Sequence, residues 1–176
     1  MKRVVVVGVT GSGKTTFASA LSKRLGIPLI ELDAVYWQPN WTPPDRDDFR
    51  ARVVREIAGE RWVAEGNYSA SRDIVWSAAD TLVWLDFGLP LIMTRLLLRS
   101  LRRGLSRELL WGINRERLAS QFLTKNSLFL WAWQTFPRYR RDYPQLLSSP
   151  AYAHLRVARL RSPRLARSWL GSAVAD

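Results

Sequence analysis

The sequence predicts an α/β domain built on a mainly parallel sheet, and three observations point to it. Short apolar and β-branched runs alternate with segments of helical periodicity along the chain. The first run, Val4, Val5, Val6 and Val7, is apolar at every position, as a central strand covered on both faces must be. A glycine-rich loop joins that run directly to the first helical segment. The chain has 176 residues, 47% hydrophobic and 24% charged, which suits one domain with a sizeable core. No repeat, low-complexity tract or linker divides it, so residues 1–176 read as a single domain.

Each element has its own signal. Residues 14–25 carry Phe17, Ala18, Leu21 and Leu25 at helical spacing; Gly26 ends that helix and Pro28 prevents its resumption. Residues 28–33 read as a second short strand, and residues 39–44 as a proline-bounded loop. Asp45 is then placed to cap a helix reaching about residue 58. Residues 61–65 form a third strand stopped by Gly66 and Asn67, and residues 81–86 a fourth. Pro90 sits just inside a helix that Gly104 closes, followed by a helical lid inserted at about residues 104–117. Residues 116–147 read as largely helical with a break near Pro137, and Trp131 and Trp133 as core. Residues 155–160 give a last strand and residues 163–170 a last helix.

Composition excludes several classes. There is no cysteine, which removes disulfides and thiolate metal sites, and His154 is alone, which removes a histidine-rich site. No run approaches the roughly 18 apolar residues of a membrane span. Met1, Lys2 and Arg3 followed by four valines are too short a pattern for a signal peptide, so a cytoplasmic protein is expected. The net charge is +12 and nearly all of it is arginine, since the only lysines are Lys2, Lys14, Lys23 and Lys125. Such a balance favours phosphates, nucleic acid or acidic lipid, or else spreads arginine over a solvated surface.

Gly8-Val9-Thr10-Gly11-Ser12-Gly13-Lys14-Thr15 fits G-x-x-x-x-G-K-[ST] at every specified position, with the required strand before it and the required helix after it. Glycines let the backbone curl so that successive N–H groups face phosphate oxygens, and the following helix aims its positive end at the same anion. Lys14 supplies a mobile charge to the β- and γ-phosphates, and Thr15 a hydroxyl for Mg²⁺. The expected nucleotide contacts are Gly8, Gly11, Ser12, Gly13, Lys14, Thr15 and Thr16.

Ligands of open α/β sheets bind outside the carboxyl ends of the strands. Asp33 and Glu65 fall there and could position Mg²⁺ through water or accept a proton from an attacking hydroxyl; the alternatives are a helix cap for Asp33 and an arginine partner for Glu65. Asp86 also ends a strand, either as a metal-associated acid or as part of the turn at Gly88 and Pro90. Trp37, Trp41 and Tyr68 sit beside these acids, where an aromatic face could stack on a flat acceptor. Arg95, Arg99, Arg102 and Arg103 share one helix face at i, i+4, i+7 and i+8, with Ile92, Leu96, Leu97 and Leu101 on the buried side. Arginine suits a phosphate clamp because its planar fork holds two oxygens and stays charged. Arg95 and Arg99 are expected to matter most, and Arg103, Arg115 and Arg117 are lid candidates.

Beyond the loop, the chain resembles the adenylate kinase-like topology modulation (FlaR-type) proteins. The resemblance rests on Leu32-Asp33-Ala34-Val35-Tyr36-Trp37 with Trp41, then Trp62-Val63-Ala64-Glu65-Gly66-Asn67-Tyr68 and Trp84-Leu85-Asp86. It continues through the arginine-laden helix from Arg95 and ends with Leu160-Arg161-Ser162-Pro163. One departure is Glu65, where the family pattern has aspartate before Gly-Asn-Tyr; the reach is one methylene longer. The resemblance implies a three-layer P-loop sandwich with five parallel strands in the order 2-3-1-4-5. It implies a kinase that uses ATP and Mg²⁺ on a small acceptor, a nucleoside or nucleotide foremost. Lys14, Asp33, Arg95 and Arg99 would be catalytic; Asp33, Trp37, Glu65, Asn67 and Tyr68 would meet the acceptor; Thr15 and Glu65 would serve the metal. The alternative is a regulatory nucleotide-binding protein that contacts DNA through its basic surface, although no zinc-finger or homeodomain pattern is present. No Asn-Lys-x-Asp segment supports a guanine-nucleotide switch.

Overall fold

The computed structural model describes residues 1–106, 109–110, 114–115 and 127–174, the side chains of residues 103–126 excepted. The strands are β1 (Arg3–Gly8), β2 (Leu29–Glu31), β3 (Trp62–Glu65), β4 (Thr81–Leu85), β5 (Leu109–Leu110), β6 (Asn114–Arg115) and β7 (Arg156–Leu160). The helices are α1 (Lys14–Leu25), α2 (Leu32–Tyr36), α3 (Arg46–Glu56), α4 (Arg72–Ala78), α5 (Leu89–Ser106), α6 (Leu128–Leu147) and α7 (Pro163–Ser172). Five parallel strands form one sheet in the order β2-β3-β1-β4-β7, which is the expected 2-3-1-4-5 with β7 as the fifth.

The valine run lies at the centre of that sheet, in register with β3 on one side and β4 on the other, and Val4, Val5 and Val6 are fully buried. Residues 81–85 of β4 are buried at every position, so burial on both faces explains why neither strand shows polar alternation. Gly26 closes α1 in a left-handed conformation (φ 64°), its N–H donating to the carbonyl of Ser22. The Asp45 carboxylate caps α3 by accepting from the N–H of Asp47.

Four local expectations differ from the structure. The second strand ends at Glu31 and the chain winds at once into α2, so Asp33 stands in a helical first turn instead of a strand end. Gly104 does not close α5, which continues to Ser106; a helical glycine costs about 1 kcal/mol against alanine, too little to break a long leucine-rich helix. Pro137 does not break α6, and the helix also carries Pro144. Across Pro137 the residues Ala132, Thr135, Tyr139 and Tyr143 keep one buried stripe, and its packing offsets the hydrogen bond a proline removes. Trp131 and Trp133 fall off that stripe and are 52% and 61% exposed, so they are not core. The same phase error affects α5, whose buried stripe is Ile92, Leu96 and Ser100, leaving Leu97 and Leu101 outside it.

Within the expected lid, residues 104–106 end α5, and the residues of β5 and β6 pair as antiparallel strands instead of continuing a helix. The backbone of β6 lies beside the turn Pro39–Trp41. The other residues of the expected lid, Arg117 included, lie outside the described residues.

Candidate active site

The site begins at the turn between β1 and α1. Gly11 and Gly13 hold φ values of 81° and 88°, in the left-handed region that favours glycine. Space demands glycine as well. A Cβ on Gly11 would stand 2.6 Å from Cγ of Leu96 and 3.0 Å from the carbonyl oxygen of Ile92, so α5 packs directly against the loop. A Cβ on Gly13 would stand 3.3 Å from Nη1 of Arg95. The Ser12 N–H closes the turn on the Val9 carbonyl at 3.0 Å. Gly13 is the N-cap of α1 and brings no side chain, so the first N–H groups of the helix are left for an anion.

Glu65 ends β3 and is 1% exposed. The Thr15 hydroxyl donates to Oε1 of Glu65 at 2.9 Å. Burial pushes the Glu65 carboxyl up from its ordinary value; the Lys14 ammonium and the Thr15 hydroxyl pull it back, and the carboxylates of Asp33 and Glu31 push it further up. A buried acid with this balance of neighbours gains from a cation, and Thr15 with Glu65 is a hard oxygen pair of the type Mg²⁺ takes. Among the described residues no group of three or more acidic or histidine side chains could hold a metal by itself.

The next three residues bind neighbouring segments in turn. The Gly66 N–H donates to the Val6 carbonyl at 3.3 Å. The Asn67 amide donates to the Gly8 carbonyl, and its Oδ1 accepts from the Gly8 N–H at 3.2 Å and from the Tyr143 hydroxyl at 3.3 Å. The Tyr68 hydroxyl donates to Oδ1 of Asp33 at 2.6 Å. The structure therefore places Asn67 on the backbone of the phosphate loop and Tyr68 on Asp33.

These parts open into one cleft of about 660 Å³. Residues 10–16 of the loop, Asp33, Glu65, Arg95 and Arg99 all line it. Arg95 donates to the Ser12 carbonyl at 2.8 Å, and its guanidinium lies 5.1 Å from the centre of the Phe87 ring. Arg102 is exposed, and the side chain of Arg103 lies outside the described residues. Gly8, Asn67, Tyr68 and Trp37 are not among the residues that line the cleft. The ring of Trp37 instead meets Tyr36 at 4.9 Å and Trp41 at 5.5 Å, edge to face.

Sequence reasoning missed the far wall. Phe87 follows β4, and Pro163, Ala166, Arg167 and Leu170 come from the start and inner face of α7. The rule that ligands gather where strands end could have found Phe87 and Pro163, since both follow a strand within a few residues. Asp86 is a different case. It is 3% exposed and accepts from Arg140 at 2.7 Å and from Arg159 at 2.9 Å, so it fastens α6 and β7 to the end of β4.

Comparison with known proteins bears on the fold that carries this cleft. Residues 1–42, the stretch from β1 through α2 into the following turn, match the Isopentenyl transferase family. Over 130 residues the chain is 27% identical to the "Uncharacterized protein YqaC" of Bacillus subtilis (strain 168), covering 73% of this chain and 72% of that one. Over 107 residues it is 36% identical to the shikimate kinase of Ruegeria pomeroyi, covering 47% of this chain and 55% of that one, so it spans about half of that relative. In three dimensions it superposes on shikimate kinase from Bacteroides thetaiotaomicron with a TM-score of 0.57 at 14% identity, over 97% of this chain and 94% of the other. A gluconokinase from Sinorhizobium meliloti 1021 gives 0.52 at 19% identity, over 97% and 91%. The chain has the P-loop fold of the small-molecule kinases that shikimate kinase and gluconokinase represent.

Proposed function

We propose that this chain is a kinase that transfers the γ-phosphoryl group of ATP to a hydroxyl of a small acceptor, a nucleoside or nucleotide foremost. One observation carries the reading: a phosphate loop, two carboxylates and three arginines, Arg95, Arg99 and Arg167, converge on a single cleft. The kinase names among its relatives support it. So does the resemblance to the topology modulation proteins, and a cytoplasmic setting would supply the nucleotide.

In this reading the loop N–H groups and Lys14 hold the β- and γ-phosphates. Thr15 and Glu65 would hold Mg²⁺, which when bound neutralises phosphate charge. Asp33 lines the same cleft and takes the acceptor's proton. The acceptor oxygen bonds to the γ-phosphorus while the bond from that phosphorus to the β,γ-bridging oxygen breaks; ADP leaves and the proton passes to the Asp33 carboxylate. Arg95 and Arg99 stabilise charge as it shifts toward the bridging oxygen. Residues near 104–117 would close over the cleft and exclude water.

The test is acceptor-dependent ATP consumption across a panel of nucleosides, nucleotides, sugars and shikimate. An acceptor that raises consumption in wild type and not in Lys14→Ala supports the reading. Equal consumption by both proteins with every acceptor removes it.

The net charge of +12 favours a second reading, in which the basic surface contacts DNA. If the charge serves phosphate chemistry, duplex binding is weak, sequence-blind and steeply salt-dependent. Nanomolar, sequence-selective binding at physiological salt would put the regulatory reading first.

A further inference from the structure

Tyr68 has an aromatic ring near the cleft but does not line it. Its ring is already engaged, with Tyr36 at 4.6 Å and Phe49 at 5.1 Å between centroids. Its hydroxyl is committed too, donating to Oδ1 of Asp33 at 2.6 Å. Burial and the adjacent Asp33 carboxylate push the phenol far above its ordinary range, so it stays a protonated donor at any working pH.

The backbone around this bond is held from both directions. Gly66 donates to Val6, and Asn67 bonds both the N–H and the carbonyl of Gly8. Gly66 has φ 142°, and a Cβ there would stand 2.8 Å from Cβ of Leu32, the residue before Asp33. The first turn of α2 is therefore pressed onto Gly66 through Leu32 and tied to Tyr68 through Asp33. Among the described residues Oδ2 of Asp33 accepts no hydrogen bond, so one carboxylate oxygen is fixed and the other is left for a proton.

We infer that Tyr68 is a positioning residue for Asp33: its hydroxyl fixes one carboxylate oxygen so that the other meets the acceptor hydroxyl. The inference rests on the kinase reading above. A donor to one oxygen orients the carboxylate group and keeps it from turning toward Lys14 or the arginines that line the same cleft. Tyr68 acts through Asp33 and touches neither nucleotide nor acceptor, so its loss slows transfer without weakening donor binding.

The experiment is a double-mutant cycle on the acceptor found by the panel. Tyr68→Phe keeps the ring between Tyr36 and Phe49 and removes only the hydroxyl. The expected result is a fall of about 5–20-fold in kcat, with KM for ATP changed by less than about twofold. In the Asp33→Asn background the same substitution causes little further loss, because the group it positions is already disabled. Tyr68→Leu, which also removes the ring, lowers the melting temperature where Tyr68→Phe does not. Wild-type kcat in Tyr68→Phe, a loss that multiplies with that of Asp33→Asn, or an unimpaired Asp33→Asn would each overturn the inference. A panel with no acceptor, together with equal ATP consumption by wild type and Lys14→Ala, removes the kinase reading and this role with it. That outcome is distinct from an impaired Asp33→Asn beside an unimpaired Tyr68→Phe.

Discussion

Asp33 and Asp86 each follow a short strand of the same sheet, and their surroundings are opposite. Asp86 is enclosed and accepts from Arg140 and Arg159, whose guanidinium groups lie 4.4 Å from the ring centre of Phe136 and 4.1 Å from that of Trp84. Both of its oxygens are engaged by guanidinium groups that α6 and β7 carry. Asp33 accepts one phenol, keeps Oδ2, and lines the cleft beside Glu65. The difference comes from what the rest of the chain brings to each strand end. On the β2 side it brings a neutral donor and an opening; on the β4 side it brings two arginines and closure. A carboxylate after a strand is a candidate, and its partners decide whether it does chemistry or fastens the fold.

The donor half sets the scale against which the two acids are compared. Lys14→Ala should abolish detectable transfer and weaken ATP·Mg²⁺ binding while leaving the melting temperature nearly unchanged, since Lys14 makes one long contact to the Val9 carbonyl at 3.5 Å. Calorimetric titration of nucleotide into both proteins checks this, and equal affinities would remove Lys14 from the site. Asp33→Asn should come next, lowering kcat by about 10²-fold or more with ATP affinity retained. Near-normal turnover on the identified acceptor would reduce Asp33 to a first-turn residue of α2.

Asp86→Asn should invert that pattern. It weakens two charge-assisted contacts to arginines that are 40% and 32% exposed, so water rescues part of the loss. The expected cost is about 1–3 kcal/mol, read as a drop of roughly 2–10 °C in melting temperature, with kcat per folded molecule little changed. If Asp86→Asn proves inactive while fully folded, the contrast between the two acids fails, and Asp86 regains its reading as a metal-associated acid.

Much of the scaffold was legible because its signals are local. Four consecutive valines read as a strand covered on both faces, which the burial of all four bears out, and Gly11 and Gly13, at φ 81° and 88°, announce themselves by identity. Lys14, Thr15 and Glu65 can be singled out as candidates for the same reason, as each follows from its own short segment, and all three line one cleft. The pairings were not legible. Arg140 and Arg159 lie 54 and 73 residues from Asp86, and nothing near Asp86 names them. Tyr68 reaches Asp33 across 35 residues, so its hydroxyl was overlooked in favour of its ring. Trp131, Trp133, Leu97 and Leu101 were assigned to the buried side because composition gives the helix but not its phase. One residue of rotation, set by tertiary packing, decides which face is inside. The apolar wall from α7 was missed because Ala166 and Leu170 look like any helix interior until the cleft is seen beside them.

The smallest expected effect concerns Glu65, which stands between the two cases: enclosed like Asp86, yet facing the cleft like Asp33. Its carboxyl is raised above the ordinary value of 4.5, chiefly by burial and with Asp33 adding to it. The sign follows from proton binding. A carboxyl that ionises less readily in the folded protein holds its proton longer there than in the unfolded chain. Its contribution to stability is therefore largest below about pH 4.5 and is lost as pH rises through the folded value. Glu65→Gln retains an oxygen for the Thr15 hydroxyl and never ionises, so it escapes that loss. Without nucleotide, the variant should match wild type near about pH 4.5 and melt higher as the pH approaches about 8, the gap widening in between. ATP·Mg²⁺ should close the gap or reverse it, because a cation at Thr15 and Glu65 favours the ionised form that glutamine cannot supply. Melting curves across pH, with and without nucleotide, read both. A gap that stays flat with pH would mean that the Lys14 ammonium and the Thr15 hydroxyl already cancel the cost of burial. Glu65 would then be a settled structural anion like Asp86, and the cleft would hold one reactive acid, Asp33.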